Sequence, residues 1–135
     1  MSSAAQDVWP FGTWNGLGSF ELFPGVRLHA IGGEQVLLCR VTYEPGKRVE
    51  RHSHEATEQL MWIVDGEVTM TIGDETRTLR AGDVVCVNRG VEHELYSEDG
   101  VTFFEALAPV PLDHVPDRER DLVLRKDNGS QHVER

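Results

Sequence analysis

Glycine and its turn partners break this chain at short intervals. Gly12, Gly16, Gly18, Pro24-Gly25, Gly32-Gly33, Pro45-Gly46, Gly66, Gly73-Asp74, Gly82-Asp83, Gly90 and Asp99-Gly100 all read as turn signals. The runs between them are rich in β-branched and aromatic residues. They predict strands over Val26–Ile31, Gln35–Tyr43, Gln59–Val64, Glu67–Ile72, Thr76–Leu79, Val84–Val87, Glu94–Ser97 and Val101–Leu107. Several of these alternate, with Val68, Met70 and Ile72 on one face and Thr69 and Thr71 on the other. Many short strands at regular spacing predict an all-β sandwich or barrel.

With 135 residues, the chain has the length of one domain and can bury a real core without covalent staples. It carries 13 basic and 23 acidic residues, a formal net charge of −10. Nucleic-acid backbones and anionic lipid surfaces both demand lysine and arginine, so neither is expected as a partner. Cys39 and Cys86 lie in apolar runs without CxxC spacing and read as reduced thiols of a cytoplasmic protein. Met1 to Gln6 has neither the basic stretch nor the apolar run of a signal peptide. No apolar run approaches the roughly 20 residues of a membrane-spanning helix.

Three segments follow from this rhythm: an N-terminal arm over 1–25, a barrel over 26–110 and a C-terminal segment over 111–135. The arm carries Trp9, Phe11 and Trp14 among glycines and suits the cover of a sheet edge or exchange with a second subunit. In the C-terminal segment Pro116 can open a short helix, and the polar stretch from Lys126 to Arg135 reads as a frayed end.

The chemistry concentrates at His52-Ser53-His54. On a strand, residues two apart face the same way, so both imidazoles would project from one face and could grip one divalent metal. Glu58 or Gln59 offers a third donor, and His93, just after Gly90, a fourth. Imidazole nitrogens with one oxygen suit zinc, iron, nickel or manganese.

The spacing around these residues resembles the cupin superfamily. Its first motif, G-x5-H-x-H-x3,4-E-x6-G, is matched by Gly46, His52, His54, Gln59 and Gly66. Its second, G-x5-P-x-G-x2-H-x3-N, is matched by Gly82, Asn88, Gly90, His93 and Ser97, where Asn88 and Ser97 replace the usual proline and asparagine. The resemblance implies a double-stranded β-helix, the jelly-roll barrel of the cupins. It also implies a metal site of His52, His54, Gln59 and His93. Gln59 rather than Glu58 is chosen because Gly66 lies seven positions after it, as the motif requires. Glu58 then points the opposite way if both are extended. With four neutral donors the full charge of a divalent ion would stay uncompensated, a strong Lewis acid suited to an enolate or carboxylate.

Other positions have plainer readings. His29 reads as a structural strand histidine, His114 and His132 as exposed tail residues, and Glu50, Arg51 and Glu55 as rim charges. Tyr43, Met61, Ile63, Met70 and Phe104 are expected to line or fill the barrel. Trp62, of opposite parity to Met61 and Ile63, is expected outside, at a homodimer interface.

The pattern H-x-H-x4-Q resembles small cupins of uronate breakdown and zinc-containing aromatic polyketide cyclases of the resistomycin type. The segment from Ala108 to Val123 is more similar to the cyclase branch. The expected function is therefore a metal-dependent polyketide cyclase. Zinc is the expected cofactor, one metal per chain, with His52, His54 and His93 central to catalysis. Its substrate would be an aromatic polyketide intermediate, closed by aldol-type cyclisation and aromatisation of a poly-β-ketone. An unsaturated-uronate isomerase, a cupin dioxygenase and a non-catalytic binding cupin are the alternatives.

Overall fold

A computed structural model describes residues 11–33, 35–111, 121–125 and 129–132. After a short 3-10 turn over Trp14–Gly16 come β1 (Ser19–Phe23), β2 (Val26–Gly32), β3 (Leu37–Tyr43), β4 (Lys47–His52) and β5 (Glu58–Ile72). Then follow β6 (Glu75–Arg80), β7 (Val84–Val87), β8 (His93–Ser97) and β9 (Val101–Ala108). Finally, β10 (Asp121–Arg125) and β11 (Gly129–His132) form a separate antiparallel pair.

The nine main strands make one curled antiparallel sheet in the order β1-β2-β3-β9-β5-β8-β4, with β6 and β7 also paired to β5. This is the all-β, jelly-roll architecture that the turn rhythm and the motifs predict. Side chains alternate strictly: Val26, Leu28 and Ala30 of β2, Leu37, Cys39, Val41 and Tyr43 of β3, and Val101, Phe103, Glu105 and Leu107 of β9 all face inward. Leu28, Leu37, Ile63 and Leu107 are completely excluded from solvent. Each such side chain contributes about 1.5–3 kcal/mol of burial.

Three differences from the sequence reading matter. First, the strands expected on either side of Gly66 are one continuous strand, β5. Its first half lies between β9 and β7 and its second half between β6 and β8. A bulge between Ile63 and Asp65 inserts one residue. The inward set accordingly slips from odd positions (Gln59, Met61, Ile63) to even ones (Val68, Met70). Gly66, at φ +80°, sits in the left-handed region that glycine tolerates. Second, the sheet begins at Ser19, before the expected barrel start, and gains β4, whose Lys-Arg-Val-Glu-Arg-His hides only Val49. Third, residues 121–125 are extended where a short helix or tail was expected; Pro116 and His114 lie outside the described residues, and His132 falls on β11.

Candidate metal centre

His52 is the last residue of β4 and pairs directly with His93, the first residue of β8. The expectation that His52 and His54 share a strand face is corrected: β4 ends at His52, and His54 lies in the following loop. That loop is tied down where the backbone N–H of Gly90 donates to His54 O at 2.9 Å. Both imidazoles nevertheless converge on His93. Ring centroids are 4.2 Å apart for His52 and His93, 5.0 Å for His52 and His54, and 5.3 Å for His54 and His93. One nitrogen from each ring lies within 4.8 Å of the others.

The hydrogen bonds set the tautomer of two of the rings. His52 Nδ1 lies 2.7 Å from Glu50 O, and His93 Nδ1 lies 3.0 Å from Val91 O. A carbonyl oxygen only accepts, so each Nδ1 carries the proton. In a neutral ring the lone pair is then on Nε2, the state a metal needs. His93 is buried, whereas His52 and His54 are half-buried, so the cluster opens to solvent on their side.

Gln59 enters from the start of β5. It is buried, and its Nε2 donates to Glu105 Oε1 at 2.7 Å. Its Oε1 is buried with no hydrogen-bond partner. A carboxylate cannot donate, which sets the amide with nitrogen toward Glu105 and leaves oxygen as the remaining donor atom. Gln59, Glu105, Tyr43 and the three histidines line one inner cavity of about 30 Å³. That is room for an ion and a water-sized ligand. Three convergent imidazoles and an unsatisfied amide oxygen fit a divalent metal.

Glu58, by contrast, points outward and is exposed. Glu50 and Glu55 are also exposed, Glu55 accepting from Ser53 Oγ at 2.6 Å. Arg51 is engaged at the rim by Glu92 Oε1 at 3.0 Å and Gly73 O at 2.7 Å. Tyr43 lines the cavity, but Met61, Ile63 and Met70 face inward without lining it and fill the core. Phe104, expected as an inner residue, faces outward; the inner aromatic is Phe103, one position earlier in the alternation of β9. Trp62 is outside and 53% exposed, 5.8 Å from the Phe104 ring. His29 is half-buried on the outer side of β2.

Glu105 is the site residue that the sequence reading missed. It is only 4% exposed. Its signal was a charged residue at an inward position of β9, between Phe103 and Leu107. Its presence also revises the charge argument: the four donors are neutral, but a negative charge stands one hydrogen bond behind Gln59. Burial and that charge push the Tyr43 phenol and the Cys39 thiol well above their ordinary ranges.

Residues 39–104 match the family model of the cupin domain. Solved cupin structures agree on the fold. An RmlC-like cupin from Shewanella frigidimarina superposes with a TM-score of 0.74 at 18% identity, over 79% of this chain and 96% of that one. KdgF from Halomonas sp. gives 0.70 at 17% identity, over 75% and 95%. A sugar phosphate isomerase of the cupin superfamily from Silicibacter pomeroyi gives 0.67 at 16%, over 76% and 77%. No curated protein matches the chain by sequence. Within the matched stretch the two motif departures have local explanations. Asn88 closes a turn in which Val91 N–H donates to its carbonyl at 3.2 Å, and Ser97, buried, donates from Oγ to Glu67 O at 2.6 Å. Among the described residues, no helix is long and apolar enough to cross a membrane.

Proposed function

We propose that this cupin domain is a metal-dependent enzyme acting on a carbonyl or carboxylate oxygen of a small organic molecule, with polyketide cyclisation as its specific reaction. The observation that carries the reading is the convergence of His52, His54 and His93 beside the unsatisfied Oε1 of Gln59. A divalent metal, when bound, supplies Lewis acidity toward such an oxygen.

The chain's own residues have definite tasks. Glu50 O and Val91 O hold the protons of His52 and His93 on Nδ1, so both rings present Nε2. Glu105 anchors the Gln59 amide. Val49, Leu95 and Phe103 wall the cavity and exclude bulk water around the donors. Burial and then the Glu105 charge raise the Tyr43 phenol above its ordinary range, so near neutral pH it offers a neutral hydroxyl to this cavity. A cavity of about 30 Å³ takes the reacting oxygens, not a whole polyketide. The rest of such a substrate would lie across the opening by His52 and His54.

The test is elemental analysis of untagged protein purified without chelators, beside His52→Ala, followed by turnover assays on β-diketones and unsaturated uronates. About one zinc per chain, absent from the variant, with β-diketone turnover, is the expected result. Uronate turnover would favour the isomerase alternative, iron would favour the dioxygenase, and a chain without metal would overturn the reading.

We also propose a homodimer through the outer face of β3, β9, β5 and β7. Two cross-strand rows there, Leu38-Ala106-Leu60-Cys86 and Arg40-Phe104-Trp62-Val84, contain no acid in a chain of net charge −10. Two copies can meet there without setting acid against acid. Light scattering at micromolar concentration should give twice the chain mass, and a monomer would refute it.

A further inference from the structure

We propose that Glu105 is a positioning residue for the metal centre. It locks the Gln59 carboxamide with Oε1 toward the donor cluster and polarises that oxygen from behind. This inference rests on the metal reading above and deepens it.

An amide has two nearly isosteric ends. Without a partner, Gln59 could present either Nε2 or Oε1 to the cavity, and only Oε1 can ligate a cation. Glu105 removes the ambiguity. Its Oε1 is 2.7 Å from Gln59 Nε2, the distance of a charge-assisted hydrogen bond. A flipped amide would set two acceptor oxygens against each other. The same bond draws electron density toward the carbonyl oxygen and makes it a better donor.

The backbone register places this carboxylate among apolar strand neighbours. Glu105 is opposite Cys39 on β3 and Met61 on β5, both buried and apolar. Its inward neighbours along β9 are Phe103 and Leu107. A buried carboxylate is expensive unless its charge is used. The motif position that would carry a glutamate is occupied here by Gln59, so the negative charge has moved one hydrogen bond away from the donor cluster. The ligand set is neutral, yet the site as a whole is not.

The test uses the full chain and cobalt(II), read by its visible absorption and by competition with a chelator. Glu105→Gln should weaken cobalt binding by about 10- to 100-fold and alter the cobalt spectrum. The exchanged pair, Gln59→Glu with Glu105→Gln, keeps one carboxylate and one amide in contact and should restore binding, with a spectrum showing carboxylate in place of amide. Unchanged affinity and spectrum in Glu105→Gln would overturn the inference while leaving the metal reading intact. A wild-type chain that binds no cobalt would overturn the metal reading itself. Should Glu105→Gln fail to fold, by circular dichroism, the exchanged pair carries the test alone. Its failure to bind would count against the inference.

Discussion

Gly66 and Val101 meet so closely that a Cβ on Gly66 would sit 2.9 Å from the Val101 Cα and run into the carbonyl oxygen of Gly100. The obstacle is backbone on the neighbouring strand, not a side chain that can swing away. Gly66 also has φ +80°. Gly66→Ala should therefore cost about 2–4 kcal/mol, adding a clash to the left-handed strain. Gly73 is the control. It has φ +63° at the β5–β6 turn, but nothing lies within 4 Å of its would-be Cβ. Gly73→Ala should cost only about 1–2 kcal/mol. Urea unfolding of the two variants measures the difference, and equal losses would remove the argument for close approach.

The same glycine shows why the strand boundaries were only partly legible. A turn commonly takes a glycine at positive φ, so Gly66 read as a break between strands, although β5 runs through it just past the bulge. β4 was invisible for another reason. Its only buried apolar residue is Val49, and it is a strand because β8 pairs with it, which no local pattern records. The three histidines could be grouped in advance because their motif spacing resembles that of the cupins, and the structure brings them together. Gln59 could be told from Glu58 because β5 is extended there. Glu105 was not found because its role comes from lying across the sheet from Gln59, 46 residues away. Phe104 was misplaced by one position, and in a strand one position is the opposite face.

Alkaline pH should destabilise the fold through Cys39 and Tyr43. Burial is the main cause of both raised values, and the Glu105 charge adds to each. A raised acid favours its neutral form in the native state. The stabilisation is whole below the unfolded values, about 9 for the thiol and about 10 for the phenol, and is lost as pH rises above them. Melting temperature should hold to pH 9 and then fall. Tyr43→Phe should fall less steeply above pH 10. Parallel curves for wild type and variant would show that Tyr43 does not drive the loss.

His29 acts at the opposite end of the scale. Its value is lowered from 6.5 by partial burial and then by Arg40 and Arg27. Arg40 is its cross-strand partner in β3. A lowered base favours its neutral form in the native state. Its stabilisation is present above pH 6.5 and declines as pH falls below it. The group is only half-buried, so the effect should be small. His29→Gln should flatten the pH dependence of melting between about pH 6.5 and 5 in metal-free protein. A variant as acid-sensitive as wild type would assign the loss elsewhere.

Metal should stabilise the fold only through the donors that converge. A ligand at a hundred times its dissociation constant adds about 2.7 kcal/mol, which for a domain of this size raises melting by about 10 °C. Wild-type protein should show that rise with zinc over chelator. His93→Ala should lose nearly all of it, because His93 is the buried member of the cluster and its replacement opens the site. The decisive pair is Gln59→Ala and Glu58→Ala. Adjacent on β5, they face opposite ways, Gln59 into the cavity and Glu58 to solvent. Gln59→Ala should reduce the zinc-dependent rise, whereas Glu58→Ala should keep it. The reverse result would move the oxygen donor to Glu58 and require β5 to shift register by one residue when metal binds.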